Sequence, residues 1–310
     1  MEISSVSVET SQPQAPAQLG RWRSLLLALA VVILWGVSFA VTRATVNELP
    51  PLSLAFLRFL LASLVLWPMT RNLRRQVPIA PGDRRAVFLF GFVGVTLYFG
   101  FENFGLKYTT ASHAALLIAI IPLATELADA LRHRRAPSLP VLAGMAISST
   151  GVALIFGRDG GGGASLLGDS LMLGAVACWV WYTFLAERLM HRYPNLLLTY
   201  HIMAVGTLTL LPGAALEMLL TPFPWPSAAA WVGVAFLGIF CSALGYHFWN
   251  QAIPVLGVTA SNNLLYGLPL VGVITGVLAL GEPLTPAISA GAALILGGVL
   301  LAGRYAGRRN

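Results

Sequence analysis

Ten long apolar runs, separated by short arginine-bearing segments, constrain this chain more than any other feature. A spanning helix needs about 20 mainly apolar residues. The runs are approximately Leu25–Val46, Pro51–Met69, Ala86–Leu106, Ala111–Leu131, Leu139–Phe156, Leu167–Leu185, Asn195–Leu219, Ala228–Phe248, Val258–Leu280 and Pro286–Ala302. They are too long and too uniformly apolar for barrel strands, so the expected fold is an all-α integral membrane bundle of ten transmembrane helices. Of the 310 residues, 57% are hydrophobic and 10% charged, against roughly 25% charged in a soluble domain. Charges are too few to cover a water-facing surface, and most of the surface is expected to meet the lipid bilayer.

The formal net charge of +7 could suggest a nucleic-acid partner, but the arginines sit in loops between apolar runs, and no nucleic acid is expected. With the N-terminus in the cytoplasm, the inside segments hold Arg21, Arg23, Arg71, Arg74, Arg75, Arg84, Arg85, Arg132, Arg134, Arg135, Arg188, Arg192, Arg304, Arg308 and Arg309. The outside segments hold only Lys107, Arg158 and Arg43. This asymmetry predicts a multi-pass protein of the inner, cytoplasmic membrane with both termini inside. Residues 1–20 lack the basic start and apolar middle of a signal peptide and read as a disordered tail. Cys178 and Cys241 both lie within apolar runs and read as buried thiols.

The chain repeats. At a spacing of 147 residues Phe101-x-Asn103 matches Phe248-x-Asn250, Pro122 matches Pro269, and Gly144 and Gly151 match Gly291 and Gly298; Trp35 matches Trp179 at a spacing of 144. The predicted layout is a five-helix unit over 21–157, a glycine-rich linker over 158–166, a second unit over 167–303 and a basic tail over 304–310. Five crossings per unit force the second to enter from the opposite side, giving two inverted repeats, an arrangement of secondary transporters whose site lies between the repeats.

Polar groups in a span are costly unless they face protein or a watery cavity. Tyr98 and Glu102 share one helix face and Phe99 and Asn103 the adjacent one; in the matching helix Tyr246 and Asn250 share a face beside Trp249. These residues are candidates for a cavity lining, the alternative being interfacial aromatics. Trp35 with Ser38, and Trp179 with Tyr182, are i,i+3 pairs that either wall the same cavity or pack helices together. Asn262 and Tyr266 share a face early in the ninth helix, beside Asn263. Pro122 and Pro269 each free a carbonyl four residues earlier, at Ile118 and Leu265, and predict symmetric kinks that serve as hinges or stand as static bends. Arg58, deep in the second run, reads as a structural ion pair or an interfacial arginine in preference to a substrate clamp, with Glu126 as the acidic counterpart. His113 reads as a helix-end histidine with a local partner, and Glu282 as a brace for the helix that follows it. Catalytic motifs, a metal-ligand set and a phosphate loop are lacking, so neither an enzyme nor a cofactor is expected.

Leu34-Trp-Gly-Val-Ser-Phe39, Leu57-Arg-Phe59, Ala111-Ser-His-Ala-Ala-Leu116 through Pro122, and Gly281-Glu-Pro-Leu-Thr-Pro286, in this order and spacing, resemble the EamA-type branch of the drug/metabolite transporter superfamily. The resemblance covers roughly residues 22–305. It implies a basket-like bundle with a central cavity, mainly from helices 1, 3, 4, 6, 8 and 9, and export of small metabolites, amino acids among them. One departure stands out: where relatives carry a second Gly-Glu turn after the fourth helix, this chain reads Arg132-His-Arg-Arg-Ala136. The expected function is a carrier exporting small organic metabolites, amino acids by preference, by alternating access. A drug or cation exporter, an intramembrane enzyme and a non-transporting scaffold are the alternatives. Oligomeric state, coupling ion and the identity of the substrate are not legible.

Overall fold

The computed structural model describes residues 17–134, 136–156, 163–190, 192–221, 225–256 and 264–306. Among these, ten apolar helices follow one another. Seven are long and apolar enough to cross a membrane: α1 (Gly20–Thr45), α2 (Pro51–Met69), α3 (Pro81–Tyr108), α4 (Ala111–Arg132), α6 (Leu166–Ala186), α7 (Asn195–Leu220) and α8 (Ala228–Trp249). Three are shorter: α5 (Leu139–Ile155), α9 (Gly267–Leu280) and α10 (Pro286–Ala302). The first helical segment begins at Ala17, so helix reaches into the stretch expected to be tail. Large apolar side chains such as Leu64, Leu208, Leu219 and Leu278 stand exposed around the bundle, and Trp181 points outward with them, 51% exposed. A surface of that character is stable against lipid and not against water.

Several packing partnerships have a counterpart in the other half. Helix α1 lies against α8 and α9, and α6 against α3 and α4; α2 meets α8 as α7 meets α3. Three further contacts pair a helix with its own equivalent, and those pairs run antiparallel. Between α2 and α7, Ser53 meets Ala214 and Glu217, while Ser63, further along, meets Thr207. Between α4 and α9, Ser112 abuts Gly276 and Ala115 abuts Gly272. Between α5 and α10, Gly144 abuts Gly298 and Gly151 abuts Gly291. The four repeat glycines thus meet one another, each leaving room for a backbone carbonyl of the facing helix, which is how helices gain contact area where no hydrophobic force drives them together.

Both proline helices break where the prolines predict. The helix of α4 stops at Ile118 and resumes at Ile121, with Pro122 in its new first turn. Before α9 the turn at Leu265 and Tyr266 precedes a helix that resumes at Gly267. There the carbonyl of Leu265 accepts from the amide of Leu268 at 2.9 Å, a tighter bond that replaces the one Pro269 cannot make. Helices α3 and α8 each contain a wide π-helical stretch, Phe92–Leu97 and Phe236–Leu244, directly ahead of Tyr98 and Gly245-Tyr246. Such widened turns leave carbonyls free for other donors, and the Trp35 indole donates to Cys241 O within the second stretch at 2.9 Å. Cys178 and Cys241 are buried free thiols.

Two expectations about charged groups are corrected. Glu282 does not brace the helix that follows it. Gly281 ends α9 in the left-handed conformation (φ 68°), which turns the Glu282 carboxylate onto the first turn of α4 in the other half. It accepts from Ala111 N at 2.6 Å, Ser112 N at 2.9 Å and Ser112 Oγ at 2.6 Å. A helix N-terminus presents unpaired N–H groups and the positive end of the helix dipole, so the pairing is physically favoured. The partner of His113 is not local either: its Nδ1 lies 3.2 Å from Asp169 Oδ2 in the first turn of α6, both residues being buried.

Candidate functional site

A cavity of about 100 Å³ lies between the halves. Its wall is built by symmetry. The tryptophan of each half's first helix meets the tyrosine of the other half's third: Trp35 lies 5.3 Å from Tyr246 at 58° between planes, and Trp179 lies 5.2 Å from Tyr98 at 59°. All four rings line the cavity, as does Ser38, whose hydroxyl donates to its own helix at Trp35 O, 2.7 Å. Phe39 and Phe99 complete the aromatic side. The interrupted helices close the rest: Ile118, Ala119, Ile121 and Pro122 from α4, and Leu265, Tyr266 and Leu268 from the turn before α9 and its start. Non-helical backbone is tolerated at membrane depth where it lines a cavity.

Chemistry breaks this symmetry. Arg58 and Glu102, both 3% exposed, line the cavity from the first half. Arg58 Nε donates to Ser242 Oγ at 2.7 Å, and the guanidinium carbon sits 4.4 Å from the Phe99 ring centroid. Glu102 lies beside Tyr98 and within the field of Arg58. The stretch of α7 that corresponds to the surroundings of Arg58, residues 202–205, is Ile-Met-Ala-Val, without a charge.

Of the candidate residues, Trp35, Ser38, Tyr98, Phe99, Glu102, Trp179, Tyr246 and Tyr266 line this cavity, and so does Pro122. Three others stand behind its wall. Asn103 is fully buried and donates through Nδ2 to Pro51 O at 2.9 Å, tying α3 to the start of α2. Tyr182 fills the notch at Gly94 and stacks on Phe90 at 4.5 Å. Trp249 lies 5.4 Å from Trp35 and packs into the cluster of Ala28, Val31 and Val32. Pro269 is buried in α9 rather than lining the cavity. Asn262 lies outside the described residues, as does the side chain of Asn250. Arg58 is the residue whose place differs most from expectation: among the described residues no carboxylate stands within ion-pair distance of it, Glu126 included. Sequence reasoning left Arg58 out of the site; a charge inside a span, which is a functional-site hypothesis by default, is the signal that could have placed it there.

Residues 22–157 and 166–304 each match the EamA-like transporter family. The chain belongs to that family. EamA-like transporters are carriers, not enzymes, and this one is accordingly a multi-pass membrane transporter. It is 31% identical over 281 residues to an uncharacterized transporter of Archaeoglobus fulgidus, covering 89% of this chain and 96% of that one. It is 30% identical over 280 residues to a probable terminal-alkyne amino-acid exporter of Streptantibioticus cattleyicolor, covering 90% and 93%. An uncharacterized transporter of Bacillus subtilis, YetK, is 26% identical over 289 residues. A crystal structure at 22% identity superposes with a TM-score of 0.62 over 91% of this chain and 96% of the other, a likeness of fold.

Proposed function

We propose that this EamA-like transporter exports small amino acids from the cytoplasm, moving them through the cavity between its halves by alternating access. The symmetric meeting of Trp35 with Tyr246 and of Trp179 with Tyr98 carries the reading. Each contact joins one half to the other, so any rocking of the halves opens or closes the wall around a bound solute. The antiparallel contacts of equivalent helices support inverted repeats, and the broken α4 and α9 supply places to bend. The relative named a probable terminal-alkyne amino-acid exporter favours that substrate class over drugs. In a membrane, the arginine-rich segments would lie on the cytoplasmic side with both termini.

Size bears on the substrate. An apolar cavity of about 150 Å³ takes a guest the size of benzene, so the space seen here suits a small solute held closely, with wider access gained by opening. The test is counterflow in proteoliposomes with labelled amino acids and, for contrast, nucleotide sugars. An amino acid exchanges. Tyr246→Ala, which removes one of the two cross-half ring contacts, lowers that exchange about tenfold, corresponding to roughly 1.4 kcal/mol of aromatic contact, while the protein still elutes as a single folded species. Normal exchange by that variant, or exchange of nucleotide sugars alone, would overturn the reading.

A further inference from the structure

From the placement of Arg58 we infer that the solute in this cavity carries a carboxylate, and that the Arg58 guanidinium receives it. The inference rests on the cavity being the transport site. Arg58 is 97% buried, since 3% of it is exposed. Its Nε is engaged by Ser242 Oγ at 2.7 Å, and one guanidinium face is covered by Phe99. Nη1, by contrast, is buried without a hydrogen-bond partner among the described residues, in a side chain that lines the cavity. An unpaired guanidinium nitrogen in an apolar interior is costly to maintain, because its N–H groups have lost water and gained no acceptor. A guanidinium presents parallel N–H donors that match a carboxylate better than any neutral group.

The backbone points to the same sign of charge. The second segment of α4 begins at Ile121 and runs 12 residues, and α9 begins at Gly267 and runs 14 residues. Ile121 and Pro122 at the first start, and Tyr266 and Leu268 at the second, line the cavity. Two helix N-termini therefore open onto the space that Arg58 faces, each favouring an anionic group, alongside the carbonyl-presenting end of the first α4 segment at Ile118 and Ala119. Glu102 supplies the opposite charge on the same wall, within the field of Arg58 and among the tyrosine and tryptophan faces. A zwitterion, with its carboxylate at Arg58 and its ammonium toward Glu102 and the rings, enters without changing the net charge of the site. A cationic drug would instead meet Arg58 and both positive helix ends.

Binding to purified protein tests this with solutes that differ in one group: the twenty amino acids, their amides, the corresponding decarboxylated amines, and short carboxylates without an amino group. Thermal stabilisation or quenching of the cavity tryptophans reports binding. In the wild type each amino acid that binds does so at least about 30-fold more tightly than its amide, the loss expected when one partner of a buried charge pair is removed. Arg58→Gln erases the difference between acid and amide, and Arg58→Lys, which keeps the charge, retains part of it. Should Arg58→Gln fail to fold, the wild-type comparison and the lysine variant still decide. The inference falls if amides or amines bind as well as the acids, if no carboxylate binds, or if Arg58→Gln keeps the preference. Binding of plain carboxylates but of no amino acid would sink the amino-acid reading and leave Arg58 in its role. Amino acids that exchange as readily as their amides would do the reverse.

Discussion

Glu282→Ala lowers the apparent unfolding midpoint of the detergent-purified protein by about 5 °C or more, and Glu282→Gln by less. The carboxylate takes three hydrogen bonds from Ala111 and Ser112, it is 8% exposed, and two of its donors are the free amides of a helix start. Charge-assisted bonds are worth about 1.5–3 kcal/mol each before allowance for what the freed groups regain; a net loss of about 3 kcal/mol is the expectation. In a protein of this size each kcal/mol moves the midpoint by roughly 2 °C. Glutamine keeps one acceptor oxygen and the side-chain volume, so it sits between. The fold has made room for this contact: a Cβ at Gly276 would lie on the Glu282 carboxylate and 2.7 Å from Ser112 Oγ. The first half carries Arg132-His-Arg-Arg in place of a Gly-Glu turn. Thermal unfolding followed by tryptophan fluorescence checks the effect; an unchanged midpoint for Glu282→Ala would show that the carboxylate does not hold the halves together.

Gly298→Val removes most of the folded protein, whereas Gly297→Val, one residue away on the same helix, leaves it intact. A Cβ at Gly298 collides with the Gly144 carbonyl and with Ser148, whose amide nitrogen would be 2.7 Å away. These are mostly backbone atoms, which cannot rotate aside, so the helices must separate. Such overpacking costs about 1–3 kcal/mol where side chains can adjust, and here it falls at or beyond the upper end. Gly297 faces open space, with nothing within 4 Å of an added Cβ. The monodisperse fraction after gel filtration distinguishes the two variants; equal fractions would contradict the close α5–α10 contact.

These two positions also mark what the chain discloses by itself. The glycines at 144, 151, 291 and 298 were legible as a repeat by their matched spacing; that they meet one another is seen only in the fold. The break ahead of each proline was legible too, whereas the cross-half meeting of Trp35 with Tyr246 is seen only in the fold. Depth was not legible. Trp179 and Tyr182 share a helix face, yet one lines the cavity and the other fills a notch that exists because Gly94, on another helix, has no side chain. Partners distant in sequence were hidden for the same reason: nothing near Glu282 indicates Ala111, and nothing near His113 indicates Asp169. Arg58 was visible as an anomaly, but only the fold shows that its neighbour is a serine hydroxyl rather than a carboxylate.

The most direct test of a cavity reached in turn from both sides uses Ser38→Cys in a protein whose native Cys178 and Cys241 have been replaced by alanine. Membrane-impermeant maleimide is applied from either face of sealed vesicles, with and without an amino acid that exchanges in counterflow. Alternating access through this cavity predicts labelling from both faces, slowed in each case by the amino acid. Labelling from one face under every condition, or at a rate the amino acid leaves unchanged, would contradict it.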